Sequence, residues 1–268
     1  MSACWPLWWN GRVFDAPPPF DPRWPAFATG AMVFETVGVR AGRAWLWARH
    51  LARLERAARA LAPDLELFQR DEIEAGLRAL CQRLGPVDFA LRISLGLGPG
   101  CWFSTRELPR PPAEGALLWI APPELALAAG DPGNAHKHAG RWLKERALRA
   151  AQGAGAFEAL LPSSSGGLAC GSRSNLYAYA EGAWWTPPGA AGALPGVVRG
   201  LLLEAGLVHE RPLERTLLES AAELALSNAL WLACPVRGAI GSSRQLPGPE
   251  GSAFRALSEG LQRLAGPS

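Results

Sequence analysis

The sequence predicts an α+β protein built as two domains. Three observations carry this. Short extended runs and amphipathic helical runs follow one another along the 268 residues. A stretch punctuated by Pro and Gly, PPELALAAGDPGN, interrupts them before the midpoint. At 49% apolar content the chain can fill a core in each part. The expected division is 1–122 for a small N-terminal domain, 123–133 for a linker and 134–268 for a larger C-terminal domain.

The elements follow in order. PLWWNGRVF opens with strand character, and AMVFETVGVRAGRAWLW reads as two extended segments joined by a Gly-containing turn, a hairpin. In ARHLARLERAARALA the apolar residues Leu51, Leu54, Ala58 and Leu61 keep helical spacing. RDEIEAGLRALCQRL is a second helix, and DFALRISLGLG and ALLWIAP are two further strands with the Pro-rich ELPRPPAEG as a loop between them. The second half opens with a helix over about 138–152, then the strand FEALLP, the turn SSSGG and the strand NLYAYAEGAWWTPP. GALPGVVRGLLLEAGL is a glycine-punctuated loop running into a helix; further alternation leads to a final helix in SAFRALSEGLQRLAG.

Composition removes several function classes. The net charge of +3 is spread along the chain, and no basic run is interleaved with aromatics, so nucleic acid is not an expected partner. Five scattered cysteines, at 4, 81, 101, 170 and 234, show neither a CxxC pair nor Cys/His ligand spacing. They read as reduced thiols of a cytoplasmic protein, with no metal site. No secretion signal or membrane span is expected, because the most apolar stretch, GALLWIAPPELALAAG, is broken by Pro and Glu.

Lysine use is the sharpest local signal. Only Lys137 and Lys144 are lysine; the other 25 basic residues are arginine. Arginine cannot lose its proton in a protein or condense with an aldehyde, whereas lysine can do both. One of the two lysines is therefore a candidate for covalent chemistry, against the plainer reading of both as solvated helix charges. His136 and His138 flank Lys137, and packing is the simpler role for both.

Several strings in fixed order, GAMVFETVGVRAG, HLARL, HK, GAFEALL, CGSRSNLY, GALPGVVR and LSNALWLACPV, make the chain resemble the class IV pyridoxal-phosphate aminotransferases. That family includes branched-chain and D-amino-acid aminotransferases and 4-amino-4-deoxychorismate lyase. Lys137, Glu158, Cys170 and Asn175 fall at family-like intervals. The resemblance implies the two-domain D-amino-acid-aminotransferase-like fold, pyridoxal 5'-phosphate as cofactor and a homodimer. It makes Lys137 the Schiff-base and proton-transfer residue and Arg53 of HLARL a phosphate ligand, while Lys144 matches no functional position. Gly196 and the Val197 and Val198 amides, at a helix start, would complete the phosphate cradle. Val198 stands where the family often has Thr, which removes one hydroxyl. Ser227 and Asn228 match a segment near the phosphate or substrate, and Asn175 belongs to the same cofactor set. Arg92 and Arg173 are candidates to meet the carboxylate of a small anionic amine substrate. Glu35 and Thr36 are expected to shape their strand rather than act chemically.

Cys170 departs from the family, which carries a glutamate there to keep the pyridinium nitrogen protonated. A neutral thiol does this poorly. Three explanations compete: lost activity, altered cofactor binding, or a reaction needing less electron withdrawal. The third favours lyase chemistry, in which aromatisation drives loss of pyruvate to give 4-aminobenzoate for folate synthesis. The alternatives are a class IV aminotransferase of branched-chain or D-amino acids, and a catalytically silent homologue.

Overall fold

The computed structural model describes residues 5–265. Cys4 lies outside them. The chain separates into two compact units, one formed by the chain up to Pro109 together with His136–Gly140, the other by Arg110–Ala135 and the chain from Arg141 onward. The sequence places the division at 122 and Lys137 in the second domain; by packing, the division falls at Pro109 and Lys137 lies in the first unit.

The first unit is a six-stranded sheet of β1 (Leu7–Trp9), β2 (Arg12–Phe14), β3 (Met32–Arg40), β4 (Arg43–Ala44), β5 (Phe89–Gly96) and β6 (Gly100–Glu107). Its order is β2-β1-β6-β5-β3-β4, and every neighbouring pair is antiparallel. Three helices belong to this unit: α1 (Pro25–Ala28), α2 (Trp47–Leu61) and α3 (Arg70–Leu84). The β3–β4 hairpin turns at Ala41 and Gly42, both left-handed at φ 47° and 76°, as a two-residue loop matching strand twist requires. The expected second arm of this hairpin is cut to two residues. Leu46 is itself left-handed, at φ 53°, and α2 starts immediately after it. Helix α2 buries His50, Leu51, Arg53, Leu54, Ala57 and Ala58, a stripe at helical spacing that also carries two polar groups into the core.

Residues 136–140 run beside β3. Val33 bridges His138, the Phe34 N–H donates to the Lys137 carbonyl at 2.8 Å, and the Ala139 N–H donates to the Met32 carbonyl at 3.1 Å. These bonds hold the segment extended, so the helix expected from 138 begins only at Trp142.

The second unit has an eight-stranded sheet of β7 (Ala116–Ile120), β8 (Glu158–Pro162), β9 (Leu168–Gly171), β10 (Asn175–Ala180), β11 (Ala183–Thr186), β12 (His209–Glu210), β13 (Glu223–Asn228) and β14 (Leu232–Ala239). The order is β12-β11-β10-β13-β14-β7-β8-β9. Strand β7 pairs in parallel with β14 and β8, which is why ALLWI leaves the first unit. The helices are α4 (Trp142–Gly153), α5 (Val197–Glu204), α6 (Arg215–Ser220) and α7 (Ser252–Ala265). Strand β8 feeds two cores by alternation: Leu160 joins Leu118, Leu224 and Leu226, whereas Leu161 joins Ala147, Ala151 and Cys170. The single strand read from NLYAYAEGAWWTPP is a hairpin, turned by Glu181 and Gly182 at φ 57° and 76°.

Candidate active site

In the first unit the chemistry gathers around β3 and α2. Glu35 points from β3 into the core and is 1% exposed; His50 and Arg53, three residues apart on α2, meet it. Arg53 donates from Nε to Oε1 at 2.6 Å and from a terminal nitrogen to Oε2 at 2.8 Å, and His50 Nδ1 lies 2.7 Å from Oε2. Burial alone would raise the Glu35 carboxyl pKa. The Arg53 guanidinium and His50 outweigh it and hold the group far below the usual carboxylate range. Burial pushes the His50 pKa down despite the pull of Glu35, and the positive charges of Arg53 and, after it, Lys137 add to the downward push. His50 is therefore neutral at pH 7, donating Nδ1–H to Glu35, and its buried Nε2 has no hydrogen-bond partner among the described residues. Sequence reasoning gives Glu35 a role in shaping its strand and does not find this network. The signal available is the 15- to 18-residue separation that brings a strand carboxylate onto an i, i+3 polar pair inside an apolar helical stripe.

Lys137 is half-buried, with Nζ 4.9 Å from the centre of the Phe34 ring. The Arg92 guanidinium lies 3.5 Å over the same ring, and Arg92 Nε donates to Ser94 Oγ at 3.3 Å. The structure thus brings Lys137 and Arg92 to one aromatic residue, and Glu35, the next residue along β3, belongs to the network with His50 and Arg53 of α2.

In the second unit the start of α5 is the candidate anion cradle. Gly196 is its N-cap, and the amides of Val197 and Val198 have no i−4 acceptor. Both residues are buried, and neither amide finds another partner among the described residues. The Asn175 side chain donates to the Leu194 carbonyl at 3.0 Å and fixes this loop. A Cβ on Gly196 would stand 2.0 Å from Asn175 Oδ1, so only glycine fits. Asn175 is thus a buttress of the cradle. Across the β10–β13 pairing it faces Ser227, whose hydroxyl lies 2.7 Å from that of buried Tyr177. Asn228 has a turn role: its Oδ1 accepts from the Leu230 and Trp231 N–H groups, and its amide donates to the Arg173 carbonyl.

Arg173 is occupied in the same way. It donates to the Phe157 carbonyl at 2.8 Å, packs 4.6 Å over the Phe157 ring and lies 3.8 Å from Glu158. Fully buried Glu158, which the sequence singles out only by its interval, organises the 172–174 loop by accepting from Ser172 and Ser174. Cys170 sits on β9, 2% exposed, against Ala147, Ala151 and Leu161. Burial pushes its thiol pKa up, only partly opposed by Lys144 and Arg141, so it is neutral at pH 7. Lys144, read from sequence as surface charge, is half-buried and acts on this thiol.

Among the described residues no cluster of His, Cys, Asp or Glu could hold a metal ion, and no helix is long and apolar enough to cross a membrane. What the two units do offer is a lysine on an aromatic platform, and two buried, unpartnered amides suited to a phosphate.

Residues 32–239 match the family model described as amino-transferase class IV. No curated protein matches. Among solved structures, 4-amino-4-deoxychorismate lyase from Pseudomonas aeruginosa is similar at 27% identity, with a TM-score of 0.77 over 96% of this chain and 98% of that one. The PLP-bound form of a hypothetical aminotransferase from Mycobacterium tuberculosis shares 23% identity, with a TM-score of 0.84 over 97% and 99%. A branched-chain amino acid aminotransferase from Escherichia coli shares 21%, with a TM-score of 0.81 over 97% and 94%.

Proposed function

The chain belongs to the class IV aminotransferase family, and from that premise we propose that it is a pyridoxal-phosphate lyase of the 4-amino-4-deoxychorismate lyase type. It would release pyruvate from a small anionic amine substrate and leave 4-aminobenzoate, a step of folate synthesis, as a cytoplasmic homodimer. The cofactor supplies an aldehyde that captures amines and an aromatic ring that accepts electrons from the amine-bearing carbon.

The residues of this chain divide the remaining work. Lys137 is the amine that would hold the cofactor through its aldehyde and would serve as the base for the proton on the amine-bearing carbon of the substrate. The Val197 and Val198 amides would hold the phosphate, with Arg53 as the cationic ligand that the family resemblance assigns. Glu35 fixes the Arg53 guanidinium through two hydrogen bonds, so its direction is set before any ligand arrives. Arg92, beside Lys137 on the Phe34 ring, is the candidate to meet the substrate carboxylate. Arg173, engaged by Phe157 and Glu158, is a loop-positioning residue in this scheme.

One observation favours elimination over transamination: Cys170, which the resemblance puts at the position of the family's ring-nitrogen acid, is a buried, neutral thiol. Without an anion there, electron withdrawal by the ring is weaker, and a reaction driven by aromatisation depends on it less. The deciding experiment supplies 4-amino-4-deoxychorismate and follows pyruvate. Release without any keto-acid acceptor, abolished in Lys137→Ala, is the expected result. A requirement for 2-oxoglutarate would make the protein an aminotransferase instead, and absence of any cofactor absorbance sensitive to borohydride would make it a silent homologue.

A further inference from the structure

The second unit contains a cavity of about 320 Å³ that the proposed chemistry does not use. Its floor is apolar: Leu118 of β7, Leu160 of β8 and Leu224 of β13 are all buried there. Leu160 and Leu161 point to opposite faces of β8, and Cys170 packs with Leu161. The cavity therefore lies on the other face of that strand from the thiol.

Its mouth is polar and carries both signs of charge. Arg215 and Glu219 stand one turn apart on α6, and both line the cavity. Opposite charges at i and i+4 commonly pair, yet these two do not, and neither has another ion-pair or hydrogen-bond partner among the described residues. Between them α6 turns Leu218 inward to the apolar lining. Arg244, also at the mouth, is committed to the Leu218 and Ala221 carbonyls, so it braces α6 rather than offering its charge.

A packed protein interior rarely tolerates so much unfilled space against leucine side chains, and pockets of this size with a few convergent polar groups are typical of small-ligand sites. The occupant must bring an apolar body for the floor and, at one end, an anion for Arg215 together with a cation for Glu219. A carboxylate and an ammonium on one carbon meet that requirement. The geometry points to a second binding site, for a free α-amino acid with an aliphatic or aromatic side chain, separate from the chemistry assigned to Lys137.

Calorimetric titration of the full chain with L-leucine tests this directly. Arg215 and Glu219 are exposed, so Arg215→Gln and Glu219→Gln leave the core untouched. Binding should persist in Lys137→Ala and weaken roughly tenfold in each charge variant, the scale of one charge-assisted hydrogen bond. 4-Methylpentanoate, lacking the ammonium, and isoamylamine, lacking the carboxylate, should each bind at least as poorly. Leucine binding that vanishes in Lys137→Ala but survives both charge variants would assign the ligand to the lysine site and overturn the inference. So would equal affinity for 4-methylpentanoate, or no binding at millimolar leucine.

Discussion

At the scale of single residues, the Glu35–His50–Arg53 network links stability to pH. Both titrating groups have folded-state pKa values below their ordinary ones, His50 through burial and Glu35 through Arg53 and His50 against burial. Between the folded and ordinary values the unfolded chain holds protons that the folded chain lacks, so stability rises with pH across that window. Its contribution is complete above the ordinary His50 value of 6.5. It declines as pH falls below that point, and declines further below the ordinary Glu35 value of 4.5. Glu35→Gln leaves Arg53 as a buried cation without its carboxylate, a loss of about 3–5 kcal/mol at neutral pH. Urea midpoints measured from pH 8 to pH 3 should fall for the parent below 6.5 and more steeply below 4.5; the variant should start lower, keep the fall that His50 causes and lose the added steepness below 4.5, and an unchanged steepness there would contradict the assignment. The sequence singles out Arg53 only by resemblance, as a phosphate ligand. What it hides is the partner, because a carboxylate on a strand 18 residues away is indistinguishable from any polar strand residue until β3 and α2 are packed.

At the scale of elements, local chemistry makes some features legible and leaves others to distant pairing. The AG turn of the first hairpin is legible through its glycine, whereas the EG turn is not, because Glu181 takes up left-handed backbone that its residue type does not announce; the helical stripe of α2 is visible as periodicity. Strand β7 is also visible as a strand. Its sheet is not, since its partners β8 and β14 lie about 40 and 120 residues later in the chain and nothing within ALLWI specifies them. The start of α4 is hidden for a related reason: residues 136–140 are held extended by β3, a tertiary bond network that overrides helical propensity. The cradle at α5 is the opposite case, with GALPGVVR announcing a glycine loop before a helix. Here the structure adds why residue 196 must be glycine. In Gly196→Ala the new methyl would collide with Asn175 Oδ1 and displace either the loop or its tie to Leu194. Overpacking of this kind costs roughly 1–3 kcal/mol, and the α5 amides move with the loop. Titration with pyridoxal phosphate should show weaker binding in Gly196→Ala by a comparable free energy, with the far-ultraviolet spectrum unchanged. Unaltered affinity would remove the α5 start from the phosphate site.

At the scale of the whole molecule, the chain assigns its chemistry to two separately packed units. The first holds Lys137, Arg92 and the Arg53 network; the second holds the α5 cradle, Ser227 and Cys170. Each unit has its own apolar core, Leu51, Leu91 and Phe103 in one and Leu118, Leu226 and Val236 in the other. Neither core needs the cofactor for its own packing. In the proposed function Lys137 of the first unit and the α5 amides of the second each have a role toward the cofactor, and this has a measurable consequence. A ligand bound only by the folded state suppresses the openings that expose its contacts. Adding pyridoxal phosphate should therefore slow amide exchange at two places at once, the 136–140 segment with β3 and the first turn of α5, and raise the thermal midpoint. In Lys137→Ala the protection at 136–140 should be lost while that at α5 is retained in part, because the phosphate contacts do not depend on the covalent bond. Protection confined to one unit in the parent protein would mean that the lysine and the cradle do not serve the same cofactor, and the lyase reading would then fail whatever each cluster does alone.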